Sequence, residues 1–183
     1  MLPVREDYQT FTPPRWAKRT VCELLESLSV EHVGGLSSIV LTESAQIRKG
    51  KTRRIAGRKY AMKECLGFYR GRWRGEPPAI FLIVDNIIET RPAWFWRLPL
   101  AGDAALGAVL FHEVGHHLSA TVGSLAGGEE ASAEEWKRRL SRIHIRRKYW
   151  YLRPIRKPLR FLLVALRALM RSRSGPSQSR AQL

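Results

Sequence analysis

Three residues near the middle of the chain, His112, Glu113 and His116, have the types and the spacing of a metal site on a helix. Residues four apart lie on one face of an α-helix, so both imidazoles can reach the same ion. The pattern is HExxH, in which the glutamate beside the first histidine can accept a proton from a water molecule at the open metal position. We therefore predict a Zn²⁺ site with hydrolytic chemistry.

A buried helix must carry these residues. Apolar residues recur at spacings of three and four along this stretch: Ala105, Leu106, Val109, Leu110, Val114 and Leu118. This periodicity predicts an amphipathic helix with Asp103 as its N-cap. Two imidazoles and a carboxylate would be costly to bury in so apolar a helix without a partner, and a metal ion would satisfy them.

An open zinc site needs a third protein ligand, and the acids that follow the motif are the candidates. Glu129 and Glu130 are the next acids after His116, beyond a connection that contains glycine and serine. Glu134 lies about one helical turn further along the chain. The residues by themselves leave Glu129, Glu130 and Glu134 open as the third ligand.

HExxH followed by the segment EASAEEW, which starts at Glu130, resembles the gluzincin metallopeptidases, specifically the small ImmA/IrrE-like proteases and minigluzincins. The resemblance covers roughly residues 78–136. It implies that Glu130 is the third ligand and that Glu134 supports a ligand histidine from the side of the ring that faces away from the metal. Ala133 and Trp136 stand at the small and aromatic positions of the ImmA-type pattern ExxAxxF, whereas larger gluzincins usually have Asp at the position of Glu134.

The resemblance also implies an activity. A gluzincin is a zinc-dependent peptidase in which an extended substrate pairs with a strand beside the motif helix. Since ImmA-type proteases commonly cleave a repressor, a regulatory protein is the implied substrate. Such sites usually have a second oxyanion donor, for which His117, Tyr149 and Tyr151 are candidates. His117 is the weakest, because consecutive helical residues point about 100° apart.

Apolar runs separated by turns precede the motif and predict a small sheet. We predict a helix from Pro13 to the paired glycines at 34 and 35, followed by strands at 36–42, 59–69 and 79–88. The expected fold class is α+β. A small antiparallel or mixed sheet packs on the motif helix and on a following helix, which carries the third ligand and extends to about residue 151.

A nucleotide site is the alternative for one part of this region. Residues 45–52 fit a relaxed P-loop pattern, and Asp85 follows an apolar run as in a Walker B strand. The loop has a single glycine, so its backbone is poorly suited to wrap a phosphate. The roughly thirty residues between the two elements leave little room for the crossover helices of a parallel sheet. We interpret residues 45–52 as a charged hairpin loop.

An aromatic segment at residues 91–99, RPAWFWRLP, lies directly before the motif helix. It is too rich in aromatic residues for an ordinary loop. We expect it to pack over the core first, to line the cleft second and to touch lipid third.

Positive charge is concentrated in the C-terminal part of the chain. Residues 1–136 contain 17 of the 32 Lys and Arg residues and all 16 acids, whereas residues 137–183 contain the other 15 and no acid. We predict a zinc metallopeptidase-like domain at residues 1–151, and a basic amphipathic helix with a disordered tail at residues 152–183. The basic part predicts contact with an anionic membrane surface or with nucleic acid.

The expected location is the cytoplasm, with peripheral attachment to a membrane as a further option. The first twelve residues contain no apolar signal stretch, and no window reaches the ~18 apolar residues of a membrane span. Cys22 and Cys65 form no CxxC pair and are typical of thiols in a reducing compartment. The alternative to a peptidase is a non-catalytic, zinc-containing regulatory module that binds nucleic acid or an anionic membrane through residues 137–183.

Overall fold

The computed structural model describes residues 2–47, 53–55, 58–60, 65–125 and 127–152. The helices are α1 (Trp16–Glu26), α2 (Val30–Val33), α3 (Ser44–Ile47), α4 (Val84–Glu89), α5 (Ala101–Thr121) and α6 (Glu129–Lys148). The strands are β1 (Val4–Asp7), β2 (Ser38–Thr42), β3 (Arg53–Ile55), β4 (Arg58–Tyr60), β5 (Gly67–Arg70) and β6 (Ala79–Ile83). Short 3₁₀ turns lie at Phe95–Arg97 and Trp150–Leu152.

A four-stranded mixed sheet has the order β1-β2-β6-β5. β1, β2 and β6 are parallel, and β5 is antiparallel to β6. Alternate residues of β2 and β6 are fully buried: Ile39, Leu41, Ile80 and Leu82. They join one core cluster with apolar residues of α1 and α5. Helices packed on a small mixed sheet confirm the predicted α+β class.

The predicted strand at residues 59–69 is wrong as a single element. Its first residues belong to β4, which pairs with β3 in a separate two-stranded antiparallel ribbon. Its last residues begin β5, where the carbonyl of Leu66 accepts a hydrogen bond of 2.9 Å from the N–H of Ile83. Residues 61–64 lie outside the described part. The hairpin loop predicted at residues 45–52 is not confirmed, because residues 45–47 belong to α3 and residues 48–52 lie outside the described part.

The predicted strand at residues 79–88 ends early, at Ile83, and α4 follows directly. Two side chains fix this change of direction. The amide of Asn86 donates to the carbonyl of Cys65 at 2.8 Å, and the carboxylate of Asp85 accepts the N–H of Ser44 at 3.0 Å. Periodicity could not show the change, because a continuous apolar run fits a buried strand and a buried helix equally well.

The relation between β2 and β6 corrects one argument against a nucleotide site. These strands are parallel neighbours, so the connection between them is long enough for a crossover. Asp85, however, bonds the first residue of α3 and has a structural role in this fold.

Helix boundaries differ from the prediction at two places. α5 begins at Ala101 after Leu100, which provides no side-chain cap. Asp103 is therefore not the N-cap but lies in the first turn. The first predicted helix ends earlier, at Glu26, and α2 follows as a separate short helix with a capping box between Ser29 and His32.

The chain divides into two compact units, Met1–His144 and Ile145–Leu183. The predicted basic helix and tail at residues 152–183 fall, apart from residue 152, outside the described part and stay a prediction. Among the described residues, no helix is both long enough and apolar enough to cross a membrane.

Candidate metal centre

The two histidines of the motif face each other on α5. Their Nε2 atoms are 3.2 Å apart, and their rings are nearly perpendicular, with centroids separated by 4.8 Å. The side chain of His112 is 22% exposed and that of His116 is 15% exposed, so solvent still reaches both. Burial lowers the pKa of His112, and the negative charge of Glu130 raises that pKa again in part. Lone pairs of two neutral imidazoles at this distance favour a shared proton or cation between them.

Glu130, in the first turn of α6, brings a carboxylate to both rings. Its Oε1 atom is 3.2 Å from Nε2 of His112, and its Oε2 atom is 3.5 Å from Nε2 of His116. One donor atom from each of the three residues can be chosen so that all lie within 4.8 Å of one another. In the described part of the chain, this is the one such group of three or more His, Cys, Asp or Glu residues.

The donor set fits Zn²⁺ in its chemistry and its spacing. Two imidazole nitrogens and one carboxylate oxygen are a common ligand set of open zinc sites. Ligands about 2.1 Å from a tetrahedral ion lie roughly 3.4 Å from one another. The three contacts of 3.2, 3.2 and 3.5 Å are close to that edge, although the two histidines contact different oxygens of Glu130.

The close crossing of α5 and α6 depends on Gly115, inside the motif. A Cβ atom at this position would lie 2.5 Å from the carbonyl oxygen of Ala133 and 2.9 Å from its Cα atom. Two serines reinforce the crossing, since the Oγ atoms of Ser119 and Ser132 are 2.7 Å apart. Ala133 is one helical turn beyond Glu130, so this contact sets how near the third acid comes to the histidines.

The two other candidate acids reach the opposite nitrogens of the rings. Oε2 of Glu134 is 3.7 Å from Nδ1 of His112, and Oε1 of Glu129 is 3.5 Å from Nδ1 of His116. The carboxylate of Glu134 also accepts a 2.8 Å hydrogen bond from Lys137, which lowers the pKa of Glu134. Glu130 thus faces both Nε2 atoms, whereas Glu129 and Glu134 lie behind one ring each.

Glu113, the predicted catalytic base, is only 6% exposed. Burial raises the pKa of its carboxyl group to about 7, while a hydrogen bond from the backbone N–H of Tyr69 acts in the opposite direction and Glu130 raises it further. That hydrogen bond connects the carboxylate to β5. Sequence reasoning missed Tyr69, because a backbone donor leaves no residue type to recognise.

β5 is the sheet edge nearest the motif helix. A Cβ atom at Gly67 would be 2.7 Å from Val109 on α5, so the glycine allows the strand to lie against the helix. Leu66 bonds toward β6 through Ile83, and main-chain groups alternate in direction along an antiparallel strand. The backbone groups of Gly67 and Tyr69 therefore face the outer edge of the sheet. There the carbonyl of Gly67 accepts from Sγ of Cys65 at 2.9 Å and the N–H of Tyr69 bonds Glu113.

His117 has structural partners for both ring nitrogens. Its Nε2 atom is 2.8 Å from the carbonyl of Gly34, and its Nδ1 atom is 3.3 Å from the hydroxyl of Tyr69. Burial lowers the pKa of His117. These bonds remove His117 from the candidates for the oxyanion donor. Tyr149 and Tyr151 belong to the second compact unit, with their rings 6.4 Å apart.

Comparisons with known proteins found no similar protein. The chain matches no protein family, no curated protein and no solved structure. The resemblance to gluzincins therefore depends on the residues from HExxH to Trp136 alone.

Proposed function

We propose that this protein is a zinc-dependent peptidase that hydrolyses peptide bonds of a protein substrate. The observation that carries the proposal is the convergence of His112, His116 and Glu130, whose donor atoms lie within 4.8 Å of one another beside the buried carboxyl group of Glu113. A structural ion pair needs neither the second histidine nor a buried acid beside it. A hydrolytic site of the HExxH type uses both.

In this proposal His112, His116 and Glu130 would hold the ion, and Glu134 would support His112 from its Nδ1 side. When bound, Zn²⁺ would supply Lewis acidity, which polarises a peptide carbonyl and makes water easier to deprotonate. Three protein ligands leave one coordination position free, as catalytic zinc sites require.

Glu113 takes the proton of the attacking water and returns it to the leaving amine. Burial raises the pKa of this carboxyl group, which makes its carboxylate a better proton acceptor for this double role. The backbone N–H of Tyr69 holds one face of the carboxylate, and the hydrogen bond between Tyr69 and His117 braces β5 against α5. His117 thus positions the base through its neighbour and does not touch the substrate.

The outer edge of β5 binds the substrate backbone. The outward carbonyl of Tyr69 can accept a hydrogen bond from an extended peptide, which brings a scissile bond past Glu113. An edge so close to the carboxylate suits a protein segment in extended conformation better than a helical one. From the resemblance to ImmA-type proteases, we further propose a regulatory protein as the substrate. The cysteines outside any CxxC pair and the basic residues 137–183 support the cytoplasm, with peripheral membrane attachment, as the proposed location.

Cleavage by the purified full chain tests this function. Incubation with a broad peptide library should give zinc-dependent cleavage that a chelator stops. Glu113→Gln should retain zinc and lower the cleavage rate by about 10³-fold, because the general base is lost. Glu135→Gln is the matched control, since Glu135 pairs with Arg138 and Arg139 on the same helix as Glu130.

Cleavage by Glu113→Gln at the wild-type rate would contradict the role of Glu113. Tight zinc binding without cleavage of any peptide would instead favour the non-catalytic regulatory module. In that case, binding of nucleic acid or anionic vesicles through residues 137–183 is the function to measure.

A further inference from the structure

Three large apolar side chains stand in solvent just before α5. Trp94 is 63% exposed, Leu98 is 48% exposed and Leu100 is 45% exposed. All three belong to the segment Arg91–Leu100, which we call the aromatic loop. Single exposed apolar residues are common, but three within seven residues form a patch that needs an explanation.

The aromatic loop is held in a defined conformation. The indole N–H of Trp96 donates to the carbonyl of Ile88 at 3.3 Å, and its ring stacks on Trp16 with centroids 5.4 Å apart. Phe95 packs edge-on against Trp96 at 5.1 Å, and a 3₁₀ turn spans Phe95–Arg97. Two aromatic side chains thus anchor the loop, as its sequence predicts. The third, Trp94, is directed outward by this anchoring and has no place in the core.

The aromatic loop itself carries positive charge. The sequence from Arg91 to Gly102 contains two arginines and no acid. Both Arg91 and Arg97 are exposed, and neither forms an ion pair within the described part of the chain. The guanidinium of Arg91 lies 5.7 Å from the centre of the Phe95 ring, so it stays beside the apolar patch. The matching surface is therefore apolar and anionic.

The small size of the patch favours a lipid bilayer over a protein partner. A stable protein interface needs about 20–30 residues on each side, far more than one loop supplies. A bilayer does not require a large contact area, because a protruding loop can insert among the lipid headgroups. Tryptophan prefers that depth, and arginine is attracted to anionic lipid phosphates.

We propose that the aromatic loop docks the protein on an anionic lipid bilayer. Trp94, Leu98 and Leu100 enter the headgroup boundary, and Arg91 and Arg97 contact lipid phosphates. α5 starts directly after the loop, so His112 lies about 16 Å along the helix from Ala101. Docking would thus hold the candidate metal centre near the membrane surface. The proposal is independent of peptidase activity.

Quenching of tryptophan fluorescence by lipids with brominated acyl chains tests the contact directly. The full chain is mixed with vesicles of phosphatidylcholine alone or with one quarter phosphatidylglycerol. We expect quenching on the anionic vesicles that falls markedly in Trp94→Phe. Trp73→Phe is the matched control, because Trp73 is also 63% exposed but lies outside the loop, and its replacement should leave the quenching unchanged.

Sedimentation with the same vesicles measures the affinity. The double variant Trp94→Ser/Leu98→Ser should bind anionic vesicles about tenfold more weakly than Trp73→Ser, since two apolar side chains no longer insert. Circular dichroism of each variant reports on folding. Residues 153–183 are present in every protein, so any contribution they make is common to all.

Two results would overturn the proposal. One is quenching that responds no more to Trp94→Phe than to Trp73→Phe, including no quenching at all. The other is concentration-dependent self-association that Trp94→Ser abolishes without vesicles, which would assign the loop to a second copy of this chain.

Discussion

The two ends of the α5–α6 pair both join histidine to acid, but they differ in number and in access to solvent. At one end, Nε2 of His144 is 3.1 Å from Oδ2 of Asp103, and the two side chains are only 5% and 14% exposed. At the other end, two histidines face Glu130, whose side chain is 76% exposed. One histidine with one buried acid connects two helices. Two histidines and an accessible acid leave donor atoms that can hold an ion.

Removing one histidine from each end gives the largest expected difference, in zinc affinity at one end and in stability at the other. His112→Ala should weaken zinc binding by at least about a hundredfold, because one of three ligands is lost. It should hardly change the stability of the metal-free protein. His144→Ala should do the reverse: it removes this buried partner of Asp103, which costs about 1–3 kcal/mol of unfolding free energy, and leaves zinc affinity unchanged. Zinc titration and urea unfolding of both variants measure the two quantities, and equal phenotypes would break the comparison.

The next largest effect is expected at Gly115, where α5 and α6 cross. Gly115→Ala places a methyl group against the backbone of Ala133, so the helices must separate. We expect a loss of about 1–3 kcal/mol of stability from overpacking and a roughly tenfold loss of zinc affinity as Glu130 moves away. Ala133→Gly should not rescue the variant, since the conflict is with the carbonyl and Cα atoms. Rescue would show that the helices meet differently.

The acid behind the first ligand gives a smaller effect. Glu134→Gln should weaken zinc binding about tenfold, because a neutral amide supports His112 less well than a carboxylate. Glu135→Gln, one residue along α6, is the control. A loss as large as that of a ligand would mean that Glu134 itself binds the metal and that Glu130 does not.

Sequence periodicity was sufficient for the parts of this site that lie on one helix. The four-residue spacing puts His112 and His116 on one face, and an apolar pattern shows that the helix is buried. Sequence periodicity could not predict the contacts between different helices and strands. The backbone donor of Tyr69 and the pairing of Asp103 with His144 depend on how the chain packs. Gly115 was visible only as a glycine in a helical pattern, which indicates a close approach without naming the partner.

The fold shows the same division. Continuous apolar runs at residues 39–41 and 79–84 predict buried strands, and the mixed sheet agrees with the expected fold class. The change from β6 to α4 at Val84 occurs within one apolar run, where burial on all sides removes any periodic signal. Asp85 and Asn86 fix the change from β6 to α4, because they bond residues far away in sequence.

We propose that Glu130 completes a metal centre with His112 and His116. Zinc titration by calorimetry of the wild-type chain, Glu130→Ala and Glu135→Ala tests it most directly. We expect Glu130→Ala to lower zinc affinity by at least about a hundredfold and Glu135→Ala to stay within about twofold of wild type. Unchanged zinc affinity in Glu130→Ala would contradict it.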